Sequence, residues 1–256
     1  MKKIILVTAA ILAPLWLATS VKAQIIFIPP NYNPVDNPPP GPTDRGRTRS
    51  SFVQQEKPLT ALIPKTQLGL TVAKYPTFFI YVPQASEQTA VFTLLDEDNK
   101  IVYETQVTLP SQAGVVSFSL PDTGTLAPLK VGKRYQWYFS TVYDFDNRSK
   151  DHLVQGWIQR VEPSSDLARK LELADSKNRP AIYAAAGIWH ETLATLAQLR
   201  RSTPNDATLA QQWEELLKSD AVRLNTIAKE PLLEKLPALD TSPVQPLDTE
   251  NVPNRS

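Results

Sequence analysis

The chain of 256 residues has no cysteine, two histidines, one methionine and eight glycines. Without cysteine there is no disulfide, thiol nucleophile or thiolate metal ligand, so the core alone must hold the fold, even in an oxidising compartment. Lipid anchoring through a cysteine after a leader is excluded for the same reason. The histidines, His152 and His190, lie far apart. His190-Glu191 opens like a zincin helix motif, but Ala194 stands where the second histidine belongs. His190 therefore reads as a polar residue on an amphipathic helix, and His152 as the start of a strand. No Gly-x-Ser-x-Gly elbow, phosphate loop or dinucleotide fingerprint occurs. An excess of one charge is also lacking, with 27 basic against 26 acidic residues. That balance gives no general attraction to nucleic acid or anionic lipid. No catalytic residue, cofactor site or metal site is therefore expected.

Long apolar runs are scarce too. The one present, Ile4 to Leu17, follows Met1-Lys2-Lys3 and precedes Val21-Lys22-Ala23. This is the layout of a secretory signal peptide over residues 1–23, with cleavage before Gln24. The run is short for a membrane span and no second run follows, so the processed chain is expected not to be an integral membrane protein. Losing Lys2, Lys3 and Lys22 with the leader leaves 24 basic against 26 acidic residues, a net charge of −2. The expected location is exported, either periplasmic or extracellular.

Proline divides the rest. Residues 24–58 carry Pro29, Pro30, Pro34, Pro38, Pro39, Pro40, Pro42 and Pro58, and read as an extended linker. Arg45, Arg47 and Arg49 form a small basic cluster inside it. Residues 231–256 are proline-rich and polar and read as a disordered tail.

Residues 59–163 read as all-β. Thr77 to Val82 is β-branched and aromatic between two prolines. Ala90 to Leu95 and Lys100 to Leu109 flank the polar turn Asp96-Glu97-Asp98-Asn99, with Ile101, Tyr103, Thr105 and Val107 expected on one face. Val115 to Leu120, Arg134 to Val142 and Leu153 to Val161 complete the set. Leu129-Lys130-Val131-Gly132-Lys133-Arg134-Tyr135 resembles the tyrosine corner of immunoglobulin-like sandwiches.

From residue 164 the period changes. Ser164-Ser165-Asp166 offers a helix cap, Pro180 can open the next helix, and Gly187 suits the turn beyond it. Trp189, Leu193, Leu196 and Ala197 follow at helical spacing. Leu209, Trp213, Leu216 and Leu217 follow after a break at Pro204. Tyr183, Gly187, Leu196 and Pro204 sit where a tetratricopeptide repeat places its key residues, although Thr192 and Arg179-Pro180 depart from that pattern. The expected class is α+β: an Ig-like antiparallel β-sandwich (59–163) followed by a short, tetratricopeptide-like helical unit (164–230). One unit cannot bury its own apolar face, so it must pack on the sandwich, on the Asp166 helix or on a partner.

Several stretches together resemble a cyanobacterial secreted family catalogued as domain of unknown function 928. They are Leu59-Thr60-Ala61-Leu62-Ile63-Pro64, Leu68-Gly69-Leu70-Thr71, Tyr75-Pro76-Thr77-Phe78, Phe92-Thr93-Leu94-Leu95-Asp96, and Gly132-Lys133-Arg134-Tyr135 with Trp137-Tyr138-Phe139. Asp146-Asn147-Arg148-Ser149, Gly156-Trp157-Ile158, Val161-Glu162-Pro163 and Gly187-Ile188-Trp189 continue the match. The resemblance spans about Leu59 to Asn225. It implies a cyanobacterial envelope setting and no known activity.

Asp144, Asp146, Asn147, Ser149 and Asp151 form an oxygen-rich loop. Arg148 and Lys150 oppose cation binding there, and a capped polar turn is expected. Tyr81, Tyr103, Trp137 and Trp157 would form either a sugar-stacking platform or sandwich core, and alternation favours core for Trp137. The expected function is a non-enzymatic, secreted cell-envelope adaptor for another envelope or secreted protein. Trp189, Leu193, Leu196, Trp213 and Leu217 are the expected contact surface. The alternative is a module binding glycan or wall polysaccharide.

Overall fold

The structure is a computed structural model that describes residues 24–30, 57–84, 89–124, 126–145, 147–148 and 151–237. The expected signal peptide, the Arg45–Arg49 cluster and residues 238–256 lie outside the described residues.

Nine strands and four helices are described: β1 (Thr60–Ala61), β2 (Leu68–Thr71), β3 (Thr77–Val82), β4 (Thr89–Leu95), β5 (Ile101–Thr108), β6 (Gly114–Ser119), β7 (Arg134–Thr141), β8 (His152–Arg160), α1 (Ser165–Leu173), α2 (Arg179–Ala185), α3 (Trp189–Ser202), α4 (Ala207–Lys218) and β9 (Leu232–Lys235). This is an α+β protein. One sheet has the order β1-β3-β6-β9 and the other β2-β8-β7-β4-β5. Most pairs are antiparallel, but β2 runs parallel to β8 and β9 parallel to β6.

The two sheets share one core. Phe78, Ile80, Val116 and Phe118 from the first meet Phe92, Leu94, Trp137, Phe139 and Ile158 from the second. Their alternation along β4 and β7 is the period-two pattern of strands with one face inside. The edge-on contact of Phe78 with Trp137, at 5.3 Å, spans the gap between the sheets. The corner before β7 is pinned as its sequence suggests, because the Lys130 N–H donates to the Tyr135 hydroxyl at 3.0 Å.

β3 is buried along both of its faces. Phe79 and Tyr81 point away from the sandwich core and join Val115 of β6 in a second core built mainly from the helices. The helices thus form a third layer on the outer face of the four-stranded sheet. Their ends follow the capping signals. The Ser164 hydroxyl accepts from Leu167 N–H at the start of α1. The Asp206 carboxylate accepts from Thr208 and Leu209 N–H at the start of α4. Pro180 lies in the first turn of α2, and Gly187 beyond it has φ +73°.

Three expectations need correction. Ile101 does not share the inward face of β5; it is 55% exposed. The register shifts between Leu94 and Leu95, which places Ile101 opposite Leu95. The tail expected over 231–256 is structural at its start. β9 extends the four-stranded sheet, Leu236 is buried in the sandwich core, and Arg201 donates to the Leu233 carbonyl at 2.6 Å and to the Ser117 hydroxyl at 3.0 Å. Apolar Leu232, Leu233 and Leu236 between two prolines are the signal of that strand.

The linker expected over 24–58 is likewise packed at its start. Residues 24–30 form an extended strap across the helices. Ile25 and Phe27 are buried, Ile26 and Ile28 are more than half exposed, and Ile28 N–H donates to the Ala184 carbonyl at 3.1 Å. Burying two such side chains contributes about 1.5–3 kcal/mol each. Ordering the strap's backbone costs about 1–2 kcal/mol per residue. Over the seven residues of the strap that cost exceeds what the two side chains contribute, so these two contacts alone do not hold it.

Candidate functional site

The five residues expected to face a partner face the chain itself. Trp189, Leu193, Leu196, Trp213 and Leu217 are each at most 1% exposed. The physical reason is the outer face of the four-stranded sheet, whose Phe79, Tyr81 and Val115 need a cover that these residues supply. Trp213 lies edge-on to Phe79 at 6.1 Å. The Trp189 indole N–H donates to the Leu62 carbonyl at 2.9 Å, tying α3 to the segment after β1. The guanidinium of Arg200 sits 5.2 Å from the Trp213 ring centroid and caps the layer from outside. The run Thr-Phe-Phe-Ile-Tyr-Val in β3 carries the signal for this cover, since a strand apolar at nearly every position is buried on both faces.

His190 and Glu191 dock the start of α3. His190 is buried rather than exposed on a helix face, which corrects its expected setting. Its Nδ1 is 2.9 Å from the Thr77 carbonyl oxygen, and its ring packs edge-on to Phe78 at 5.2 Å. Nε2 is buried without a protein partner. Burial lowers its pKa to about 4, with the Thr77 contact opposing. A Cβ on Gly69 would come within 2.6 Å of Nε2, so β2 passes the imidazole only because residue 69 is glycine. The Glu191 carboxylate accepts from the Thr71 hydroxyl at 2.6 Å and from Ala73 N–H at 3.1 Å. Burial pushes its pKa up, and those donors pull the other way. The pair is a latch between α3 and the strands. Among the described residues no group of three or more His, Asp or Glu is placed to hold a metal ion.

The loop expected as a capped turn shows a clasp in its described part. The Asp151 carboxylate accepts from Tyr143 N–H at 3.2 Å and pairs with Arg148. Asp146, Ser149 and Lys150 lie outside the described residues.

The outer face of the five-stranded sheet stands apart from these closed contacts. Cross-strand pairing sets Gln106, Val91, Ser140 and Leu153 in one row, and Glu104, Thr93, Tyr138 and Gln155 in the next. All of these except Gln155, with Phe145 and Arg148 at one end, line a cleft of about 470 Å³. Leu153, Tyr143 and Phe145 are 50%, 57% and 57% exposed, whereas Tyr138 and Trp157 are half-buried. The Thr93 hydroxyl donates to Glu104 at 2.9 Å and stiffens the floor. Desolvation raises the pKa of Tyr138, so its phenol stays neutral. Chemically, the face offers apolar contact beside hydroxyls and amides. Tyr81 and Trp137 are buried elsewhere and take no part in it.

A chain of this form, with two sheets and a helical layer on one of them, is α+β with one sandwich face covered and the other open. A family model described as Domain of Unknown Function (DUF928) matches residues 44–232, and the chain belongs to that family. No curated protein matches the sequence. Among solved structures, the fn3 domain of human collagen alpha-1(XX) chain is similar at 13% identity and a TM-score of 0.24, covering 47% of this chain and 93% of that domain. A β-glucuronidase from Ruminococcus gnavus is similar at 12% identity and a TM-score of 0.23, covering 60% of this chain and 34% of the enzyme. This chain therefore spans about a third of the enzyme's length.

Proposed function

We propose that the protein is a non-enzymatic, exported cell-envelope adaptor, periplasmic or extracellular, that binds another envelope protein through the outer face of its five-stranded sheet. The observation that carries this reading is the contrast between the two outer sheet faces. One is covered by the chain's own helices, while the other displays Leu153, Tyr138 and Phe145 around a cleft. Aromatic and aliphatic side chains in a partly polar depression are the usual anchors of a protein contact. In this reading the sandwich is of the immunoglobulin type, as the tyrosine corner and the parallel β2–β8 seam support. The α2–α3 pair is a single tetratricopeptide-like unit used for packing. The N-terminal leader supports export, and the family resemblance supports a cyanobacterial envelope.

Tyr138 beside Gln155 and Thr93 favours a second reading, a glycan-binding face, because sugars stack on aromatic rings and bond to amides and hydroxyls. One experiment tests both. The chain beginning at Gln24 and its Tyr138→Ala/Leu153→Lys variant are used as baits in native envelope extract and in sedimentation with purified wall polysaccharide. The adaptor reading expects a stoichiometric protein that the variant loses. Polysaccharide lost by the variant, with no protein, establishes the second reading. Equal retention by both baits removes the face from either role.

A further inference from the structure

The strap of residues 24–30 lies on the helical layer as a bound peptide would. Alternate side chains, Ile25 and Phe27, enter the second core, and Phe27 meets the Trp189 ring edge-on with centroids 4.8 Å apart. The groove is shaped to this path. A Cβ on Gly187 would stand 2.8 Å from the Ile28 carbonyl oxygen, so a side chain there would block the strap. The φ of +73° at the same residue also suits glycine. The strap's one backbone bond described to the body is Ile28 N–H to the Ala184 carbonyl.

The strap is joined to the body by residues 31–56, which carry five prolines. A chain of that length reaches roughly 3.3 Å per residue when extended. That exceeds the radius of a body this size several times over. The connection therefore does not dictate whose groove the strap enters. Exchange of an identical element between copies keeps every contact and is a low-cost route to a dimer.

We propose that the groove beside Trp189 and Gly187 docks an extended segment with apolar residues at alternate positions, and that its occupant exchanges between the chain's own strap and the strap of a second copy. The five-stranded sheet plays no part, so this inference stands or falls apart from the adaptor reading.

The test uses the chain beginning at Gln24. Its mass in solution is followed by sedimentation from micromolar to millimolar concentration, with and without excess synthetic peptide Gln-Ile-Ile-Phe-Ile-Pro-Pro. The expected result is a dimer that grows with concentration and is dispersed by the peptide. The same peptide with serine in place of phenylalanine should be at least about tenfold weaker, since it lacks the buried ring. A Phe27→Ser chain should stay monomeric and should bind the labelled native peptide more tightly than the parent, because its own strap competes poorly. If that variant does not fold, peptide competition on the parent chain decides alone. A chain that stays monomeric throughout overturns the proposal, as does a dimer that the native peptide leaves intact.

Discussion

The sandwich has two outer faces, and the chain treats them differently. The four-stranded sheet turns Phe79, Tyr81 and Val115 outward, and α3, α4 and the strap bury them. The five-stranded sheet turns outward rows that mix Val91 and Leu153 with Thr93, Glu104, Gln106 and Ser140, and its cleft stays open. The same architecture thus buries one face and leaves the other open. An apolar face is covered within the chain because exposure costs too much, whereas a mixed face tolerates water and remains available.

Five substitutions or conditions would break or sharpen this contrast. The largest effect belongs to the covered face. Trp213→Ala leaves a cavity between α4 and Phe79 and should cost about 3–5 kcal/mol in urea unfolding. A loss of a few tenths would mean that the helices are not a true second core.

Next comes acid. His190 has a folded pKa of about 4, below its ordinary 6.5, so its neutral burial stabilises the fold above pH 6.5 and that contribution disappears as pH falls through about 4. The shift corresponds to about 3 kcal/mol. Glu191 works in the opposite sense. Its pKa is raised, so its contribution declines as pH rises above the ordinary carboxylate value, which blunts the net slope. Unfolding curves across this range should show the His190 slope more steeply in Glu191→Gln and not at all in His190→Gln. An unchanged slope in the His190 variant would place the titration elsewhere.

Gly69→Ala pushes a methyl into the imidazole and should cost about 1–3 kcal/mol. Thermal melting checks it, and an unchanged midpoint would show that the latch is loose. Tyr135→Phe removes the acceptor for Lys130 N–H and should cost about 1 kcal/mol, read from the same melts. The smallest expected change lies on the open face. Leu153→Lys should alter stability by no more than about 0.5 kcal/mol, since the residue is half exposed. A large loss there would mean that this face too is a folding surface.

The sequence made some of this legible and hid the rest for identifiable reasons. β3 to β8 announce themselves by alternation or by β-branched and aromatic runs, and the helices by Ser164, Pro180 and Gly187, whereas the Asp206 cap of α4 is seen only in the structure. β1, β2 and β9 are two to four residues long, too short to show a period, and pairing with distant strands defines them. The site suffered more. Trp189, Leu193, Leu196, Trp213 and Leu217 form a correct apolar stripe, but a stripe does not say what covers it. Its cover lay in β3, whose unbroken apolar run asks for a neighbour on each face. The strap was masked by its prolines, because Ile25-Ile26-Phe27-Ile28 is a short apolar cluster in a segment otherwise typical of linkers. The cleft on the open face has no linear signature, since its rows arise only once four strands are in register.

The parallel seam between β6 and β9 carries a consequence for the order of events in time. Val115 lies opposite Leu232, so the edge of the four-stranded sheet cannot be completed until almost all of the described chain is available. A chain emerging with its N-terminus first, from a ribosome or a translocation pore, would hold most of the sandwich while that edge is still bare. Distant pairing of this kind slows folding. In any chain made N-terminus first, a last strand that arrives late sets the moment at which the sheet can close.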